Sequence, residues 1–342
     1  MEHYAGLDIS LEEASVCVMD TAGSVVWRGS VACEGASIVS ALAAHAPSLQ
    51  RVVLETGLLS NWLWHELRRL GVPVVCVDAR HARAVLSVRI MKTDANDAES
   101  LAQLARIGWY REVRVNSEAS QWLRSLLLAR ERLVRVRRDL SNQIRSFLRH
   151  YGLRLGKVTG RNFERRVRDL AADNPALQEL VAGLLRARAA VGAELAALDK
   201  RVIALAREDR VCRLLMTVPG VGVLTALAYR AAVDDPARFT RASRVGAYLG
   251  LVPRLHESGE VSRSGRISKT GDGLARALLY EAANVLLTRV RQPSALRDWG
   301  RRLATRIGAK KAKVATARKL AVILHCMWRD GTAFDATAGA AA

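Results

Sequence analysis

The stretch Tyr4-Ala5-Gly6-Leu7-Asp8-Ile9 decides how the chain is read. It is a short apolar run without helical spacing, which predicts a strand. It carries a carboxylate at its end, and a charge at the edge of a buried strand is costly unless it is paired or bound to a metal. Outward from it, residues 15–19 and 25–31 are two more strand-like runs, and Asp20-Thr21-Ala22-Gly23 reads as the turn between them. The three predict a meander. A helical pattern follows at 38–45, then a strand-like run at 51–54 that ends on Glu55. Next come a helix at 62–70 closed by Gly71 and a buried-strand pattern at 72–77 ending at Asp78. The remainder, to about residue 108, reads as helical with breaks. A meander followed by strands alternating with helices predicts a mixed sheet with helices packed on it.

Two further acids extend the pattern set by Asp8 and Glu55. Lys92-Thr93-Asp94-Ala95-Asn96-Asp97-Ala98 reads as a helix start, with Thr93 as the cap and the acids in the first turn. A spacing of three places Asp94 and Asp97 on one helix face. Asp8 and Glu55 converge if their strands are neighbours in one sheet. Four such acids offer hard oxygen ligands for Mg²⁺, and two ions a few ångströms apart act on both the attacking and the leaving oxygen of a phosphodiester. An acid on the first strand, one on a later strand and paired acids on a following helix is the order of a ribonuclease-H-like nuclease domain.

From about residue 117 to 210 apolar residues recur at three- and four-residue spacing, as in Trp122, Leu123, Leu126 and Leu127. This predicts long helices forming a coiled-coil arm. Between Arg124 and Asp169 there are 14 Arg/Lys against 4 Asp/Glu, an imbalance that fits a phosphate-facing surface. From about 211 the chain reads as mostly helical. The turn Val218-Pro219-Gly220-Val221-Gly222 precedes an Ala/Leu-rich helix and resembles a helix-hairpin-helix, in which backbone N–H groups near Gly220 and Gly222 hold a DNA phosphate without reading sequence. Gly250-Leu251-Val252-Pro253-Arg254 leads to His256-Glu257-Ser258-Gly259. Residues 259–273 then read as a basic loop with Arg263, Arg266 and Lys269, followed by a helix at 274–287 that bears Arg276. Such cations clamp a phosphate and stabilise charge in its transition state. A final basic helix spans about 310–328.

The chain has 342 residues, half of them hydrophobic, with 53 Lys+Arg against 33 Asp+Glu and a formal charge of +20. That length supports two domains of ordinary size, and that charge points to a polyanionic partner. No stretch approaches the roughly 20 apolar residues of a membrane span. The N-terminus lacks the pattern of a signal peptide. Five scattered cysteines fit a reducing cytosol. The expectation is a cytoplasmic nucleic-acid protein with no membrane partner.

In this order these motifs, with Leu54-Glu55-Thr56-Gly57 and Arg266-Ile267-Ser268-Lys269, resemble the insertion-sequence one-ten (IS110) family of transposases over nearly the whole chain. The resemblance implies a RuvC-like N-terminal domain at 1–115, a helical coiled-coil middle at 116–210 and a mostly α C-terminal transposase domain at 211–335. It implies catalytic roles for Asp8, Glu55, Asp94 and Asp97 as ligands of Mg²⁺, two ions in all, and for Ser258 as nucleophile. It further implies a composite site that cleaves one strand at a time through a phosphoserine link. The partners it implies are target and donor DNA and a non-coding bridge RNA, and the assembly a tetramer. Two departures concern local contacts: Ile9-Ser10-Leu11 stands where the family often continues to a Lys, and His256 stands two before the serine where an aromatic is frequent. His256 could add a proton-transfer role. Two readings use fewer features: a metal-dependent Holliday-junction-type nuclease without a covalent intermediate, and a non-catalytic nucleic-acid-binding protein.

Overall fold

A computed structural model describes residues 1–79, 93–158, 160, 162–258 and 261–337; for 256–258, 261 and 262 it describes the backbone alone. The helical pattern expected between 80 and 92, Lys92, Gly259 and the last residues of the Ala-rich tail lie outside the described residues. The chain divides into two compact units, Met1–Asn116 and Ser117–Ala342.

The first unit is built on β1 (His3–Ile9), β2 (Glu13–Asp20), β3 (Val25–Ala32), β4 (Leu49–Glu55) and β5 (Val74–Val77), in the sheet order β3-β2-β1-β4-β5. β1 to β3 form an antiparallel meander, while β4 and β5 run parallel to β1. Parallel strands need cover on both faces. On one face α1 (Gly35–His45) and α2 (Ser60–Arg69) bury Ile38, Leu42, Leu63 and Leu67 against Leu7, Val16, Val52 and Leu54. On the other, α3 (Asp94–Ile107) buries Leu101, Leu104 and Ala105 against Val53 and Val77. The alternating side-chain direction of a strand thus divides β1 cleanly. Ala5 and Leu7 face α1 and α2, and Gly6 lies under α3.

Gly6 sets how closely α3 approaches. A Cβ at this position would overlap the Ala98 carbonyl oxygen and the Ala102 nitrogen, both backbone atoms of α3. Only hydrogen lets helix and strand meet at this spacing. The helix starts on Thr93, whose side chain accepts from the Asn96 N–H as the sequence predicts, and ends on Gly108 in the left-handed region (φ 72°).

The second unit is mostly helical. α4 (Glu118–His150) and α6 (Pro175–Glu208) pack as a long helical pair, with α5 (Asn162–Ala171) closing a distal cluster of Ile144, Leu148, Phe163, Val167 and Leu177. The larger core gathers α7 (Arg210–Leu215), α8 (Val223–Val233), α9 (Ser243–Tyr248), α10 (Gly273–Thr288), α11 (Ala295–Ile307) and α12 (Ala309–Asp330). Tyr229 is fully buried there and donates its hydroxyl to the Ala321 carbonyl at 2.7 Å. Asp234 joins α8 to the start of α4. Its carboxylate accepts from the Ser117 N–H (3.0 Å), the Ser117 hydroxyl (2.5 Å) and the Ser120 hydroxyl (2.6 Å). Burial alone would raise the Asp234 pKa, but these donors outweigh it and hold it below the usual carboxylate value.

The expected basic loop at 259–273 is a correction. Residues Val261–Ile267 form β7, which pairs antiparallel with β6 (Pro253–Ser258) as a two-stranded hairpin. Its sequence, Val-Ser-Arg-Ser-Gly-Arg-Ile, reads as a loop because positions 263–266 are all exposed and no run of apolar side chains marks a buried face. Among the described residues no helix is long and apolar enough to cross a membrane.

Candidate active site

Asp8 and Glu55 meet by strand register. Leu7 is paired with Leu54 across the parallel β1–β4 ladder, so Asp8 and Glu55 occupy the next step at the C-terminal ends of neighbouring strands. Such strands lie about 4.8 Å apart. By alternation both acids project on the α3 side, since Tyr4 and Val53 face α3. Each is half-buried.

The direction of α3 brings the other two acids to the same edge. Ala98 and Ala102 lie over Gly6. Further along the helix, the Ala105 carbonyl accepts from Arg51 at 2.8 Å, and Arg106 donates to the Thr21 carbonyl at 3.2 Å. Arg51 is paired with Tyr4 at the start of β1, and Thr21 follows the strand that pairs with His3. The helix therefore runs antiparallel to β1, and its N-terminal turn, with Asp94 exposed and Asp97 half-buried, points to the end of the sheet that holds Asp8 and Glu55.

The surroundings of this edge are acidic. Burial raises the pKa of the Cys76 thiol on β5, and the negative charges of Glu112, Glu55 and Asp78 push it further, to about 12. Asp78 directly follows β5 and Glu112 pairs across from Val77. These two carboxylates were not among the site residues read from the sequence. Asp78 was visible only as the end of a strand, and Glu112 is brought in by a bridge that no local pattern signals. After Glu55 the chain turns tightly, with the Ser60 hydroxyl 2.9 Å from both the Gly57 N–H and the Gly57 carbonyl. A cleft of about 210 Å³ opens beside Glu55, between Ile9–Leu11 and Gly57–Ser60.

The four acids are hard donors of the kind Mg²⁺ takes, and they share one edge. Among the described residues, however, no three carboxylates, histidines or cysteines stand close enough together to hold an ion. In kind the residues suit a divalent cation; the edge as it stands is not a closed coordination sphere.

Ser258 is the last residue of β6. Its backbone pairs with Val261, and two steps inward His256 pairs with Arg263. The side chains of Ser258 and His256 lie outside the described atoms. Arg254, Arg263, Arg266 and Lys269 are exposed on or beside the hairpin. The base is firmly tied. Ser268 N–H donates to the Val252 carbonyl (2.8 Å) and Lys269 N–H, from a left-handed residue (φ 56°), to the Gly250 carbonyl (3.2 Å). Arg276 uses Nη1 to hold the Leu249 (3.1 Å) and Thr270 (2.8 Å) carbonyls, which gives it a structural place under the hairpin. Gly250 and Gly271 have positive φ, and a Cβ on either would overlap the backbone of the opposite side.

At the expected helix-hairpin-helix turn the two glycines differ. Gly220 (φ 95°) is packed on α10, where a Cβ would come 2.7 Å from the Ala282 carbonyl oxygen, so packing alone requires glycine there. Gly222 is exposed, open on all sides and caps α8 without a side-chain bond. Asp199, paired with Arg130 at 2.6 Å, and Glu281 line the cleft beside the turn.

Comparison with known proteins matches residues 212–299 to the model of the transposase IS116/IS110/IS902 family and residues 5–152 to an IS110-type DEDD transposase model. The chain is similar to the transposase for insertion sequence element IS1111A of Coxiella burnetii, 31% identical over 94% of this chain and 88% of that protein. It is similar to a probable family 20 transposase of Pseudomonas aeruginosa, 32% identical over 83% of this chain and 85% of the relative. A shorter match, 32% identical over 36% of this chain and 38% of the relative, is to the pilin gene-inverting protein of Moraxella bovis.

Proposed function

The chain belongs to the IS110 family of insertion-sequence transposases and is a DNA transposase/recombinase, and from that premise we propose that it cleaves and rejoins DNA with the acids of the sheet edge and a covalent serine on the hairpin. The observation that carries this reading is the convergence of Asp8, Glu55, Asp94 and Asp97 on one edge by strand register and helix direction. The order of these acids, on a five-stranded sheet with a meander first, supports a RuvC-like assignment.

Asp8, Glu55, Asp94 and Asp97 would hold divalent cations, in our reading two Mg²⁺. When bound, these supply Lewis-acid charge at the reacting phosphate. Ser258 supplies the nucleophile. Its Oγ forms a bond to phosphorus as one P–O bond of the strand breaks. The serine proton is given up and the departing DNA hydroxyl gains one, so a phosphodiester is exchanged for a phosphoserine ester. Attack by another strand's hydroxyl restores the diester and frees the serine. One ester replaces another at each step, so no energy source is consumed. Arg254, Arg263, Arg266 and Lys269 offset phosphate charge around the hairpin. A non-coding RNA partner and a tetrameric assembly complete the proposal. The family motifs and the basic excess on α4 and α5 support the former, and the motifs alone support the latter.

The test is a trapped adduct. Purified protein, Mg²⁺, element DNA and the RNA that copurifies with the protein are denatured during reaction and resolved on a gel. A protein–DNA band is expected with the native chain and absent with Ser258→Ala, Asp97→Asn or chelator. Joined products from Ser258→Ala, or cut DNA without any adduct, overturn the serine step and favour a plain metal-dependent nuclease.

A further inference from the structure

The last two helices of the bundle carry a charge pattern that neither the acids nor the hairpin explain. From Trp299 to Arg329 the chain has nine Lys/Arg and no Asp or Glu. α11 and α12 are joined by the single residue Gly308 (φ 85°) and cross closely, since a Cβ on Gly300 would stand 2.7 Å from the Thr316 hydroxyl oxygen. Some of these cations have work inside the protein. Arg301 donates to the Leu287 carbonyl, and the Lys319 ammonium lies over the Trp299 ring at 4.7 Å. Arg302, Arg306, Lys310 and Lys311 do not. All four are exposed around the α11–α12 link, and among the described residues no ion pair includes them.

Folding alone does not account for this cluster. Arg302 and Arg306 are one helical turn apart, where like charges repel. Lys310 and Lys311 stand in the first turn of α12, where the helix dipole disfavours cations. A polyanion removes both penalties.

The kind of polyanion follows from what is missing. Single strands are held by aromatic platforms on which bases stack. The two tryptophans of these helices are already covered, Trp299 by Lys319 and Trp328 by Arg230 at 4.8 Å. Cations on a rigid helical pair, without a free stacking ring, suit the backbone of a duplex whose bases are stacked on one another. We propose that Arg302, Arg306, Lys310 and Lys311 form a sequence-independent docking face for the phosphate backbone of double-stranded DNA. The proposal rests on the family's DNA substrate and not on the roles given to the acids or Ser258, so either can fail alone.

The test compares the full chain with the combined Arg302→Gln, Arg306→Gln, Lys310→Gln and Lys311→Gln variant. Binding to a fluorescent duplex of arbitrary sequence is measured by anisotropy across a salt series, beside single-stranded DNA and RNA of the same sequence. Duplex affinity is expected to fall about tenfold or more at 0.15 M salt, and the slope of log K against log salt to shrink by roughly three to four, near 0.9 per lost phosphate contact. Single-strand binding is expected to change by at most about threefold. If the fourfold variant melts early, Arg302→Gln with Arg306→Gln is read instead, with a slope change of roughly two. An unchanged duplex slope overturns the proposal, and so does an equal or larger loss on either single strand.

Discussion

The acid edge and the serine hairpin both present polar groups at the end of strands, but they are supported in opposite ways. At the edge, β1 and β4 are buried on both faces, with Ala5, Leu7, Val52, Val53 and Leu54 fully inaccessible, and the acids emerge where that burial stops. The hairpin has a flank of exposed residues, Leu255 among them at 63% exposure, and is held chiefly at its base by Gly250, Gly271, Arg276 and the Ser268 and Lys269 N–H groups. A core fixes the first group of residues from beneath; a knot of backbone contacts fixes the second from one end. The first mount fits its proposed task. Ligands of a cation need constant spacing, and the core beneath the edge supplies it.

If this contrast is right, the largest effect should come from breaking the layer contact under the edge. Gly6→Ala forces α3 away from β1, and a loss of roughly 3 kcal/mol in stability is expected by thermal or denaturant unfolding of the full chain. Gly192→Ala, at an open helical position, should be neutral or stabilise by up to about 1 kcal/mol. Equal effects of the two would remove the case that a backbone contact positions the acids.

The hairpin should respond locally. Gly250→Ala places a Cβ at positive φ against the Thr270 backbone, at a cost of roughly 2 kcal/mol. Proteolysis is expected to speed up at the hairpin and adduct formation to fall, while the protection of residues 1–79 stays as it was. If protection falls across both units instead, the hairpin is not the independently mounted element described here.

The smallest effect concerns acid. The folded Asp234 pKa lies below its unfolded value, so its contribution is present above the unfolded pKa and is lost as pH falls through the folded one. Asp234→Ala should cost about 1–2 kcal/mol at neutral pH by unbinding Ser117 and Ser120, and less at acid pH. A variant that loses the same stability at every pH would show that packing, not the carboxylate, joins α8 to α4.

Much of the first unit was legible because its signals are local. The apolar runs that became β1, β2, β4 and β5, the Thr93 cap and the strand-end position of Asp8 and Glu55 follow from spacing and side-chain chemistry. β7 was not legible, since a strand without a buried face leaves no alternation of apolar and polar residues. The roles of Gly220 and Arg276 were hidden for another reason. Each is set by a partner far along the chain, Ala282 in one case and Leu249 in the other, and local reading credits a glycine turn or an arginine to the ligand.

By itself the sequence determined the periodicity of the elements, the excess of cations and the identity of four of the acids at the edge, because each depends on near neighbours or on composition. Tertiary structure decided which of these meet. The parallel β1–β4 register brings Asp8 beside Glu55, and the close approach allowed by Gly6 orients α3 so that Asp94 and Asp97 turn to the same end. Register and helix direction are settled by packing between residues distant in the chain, and packing of that kind leaves no local trace.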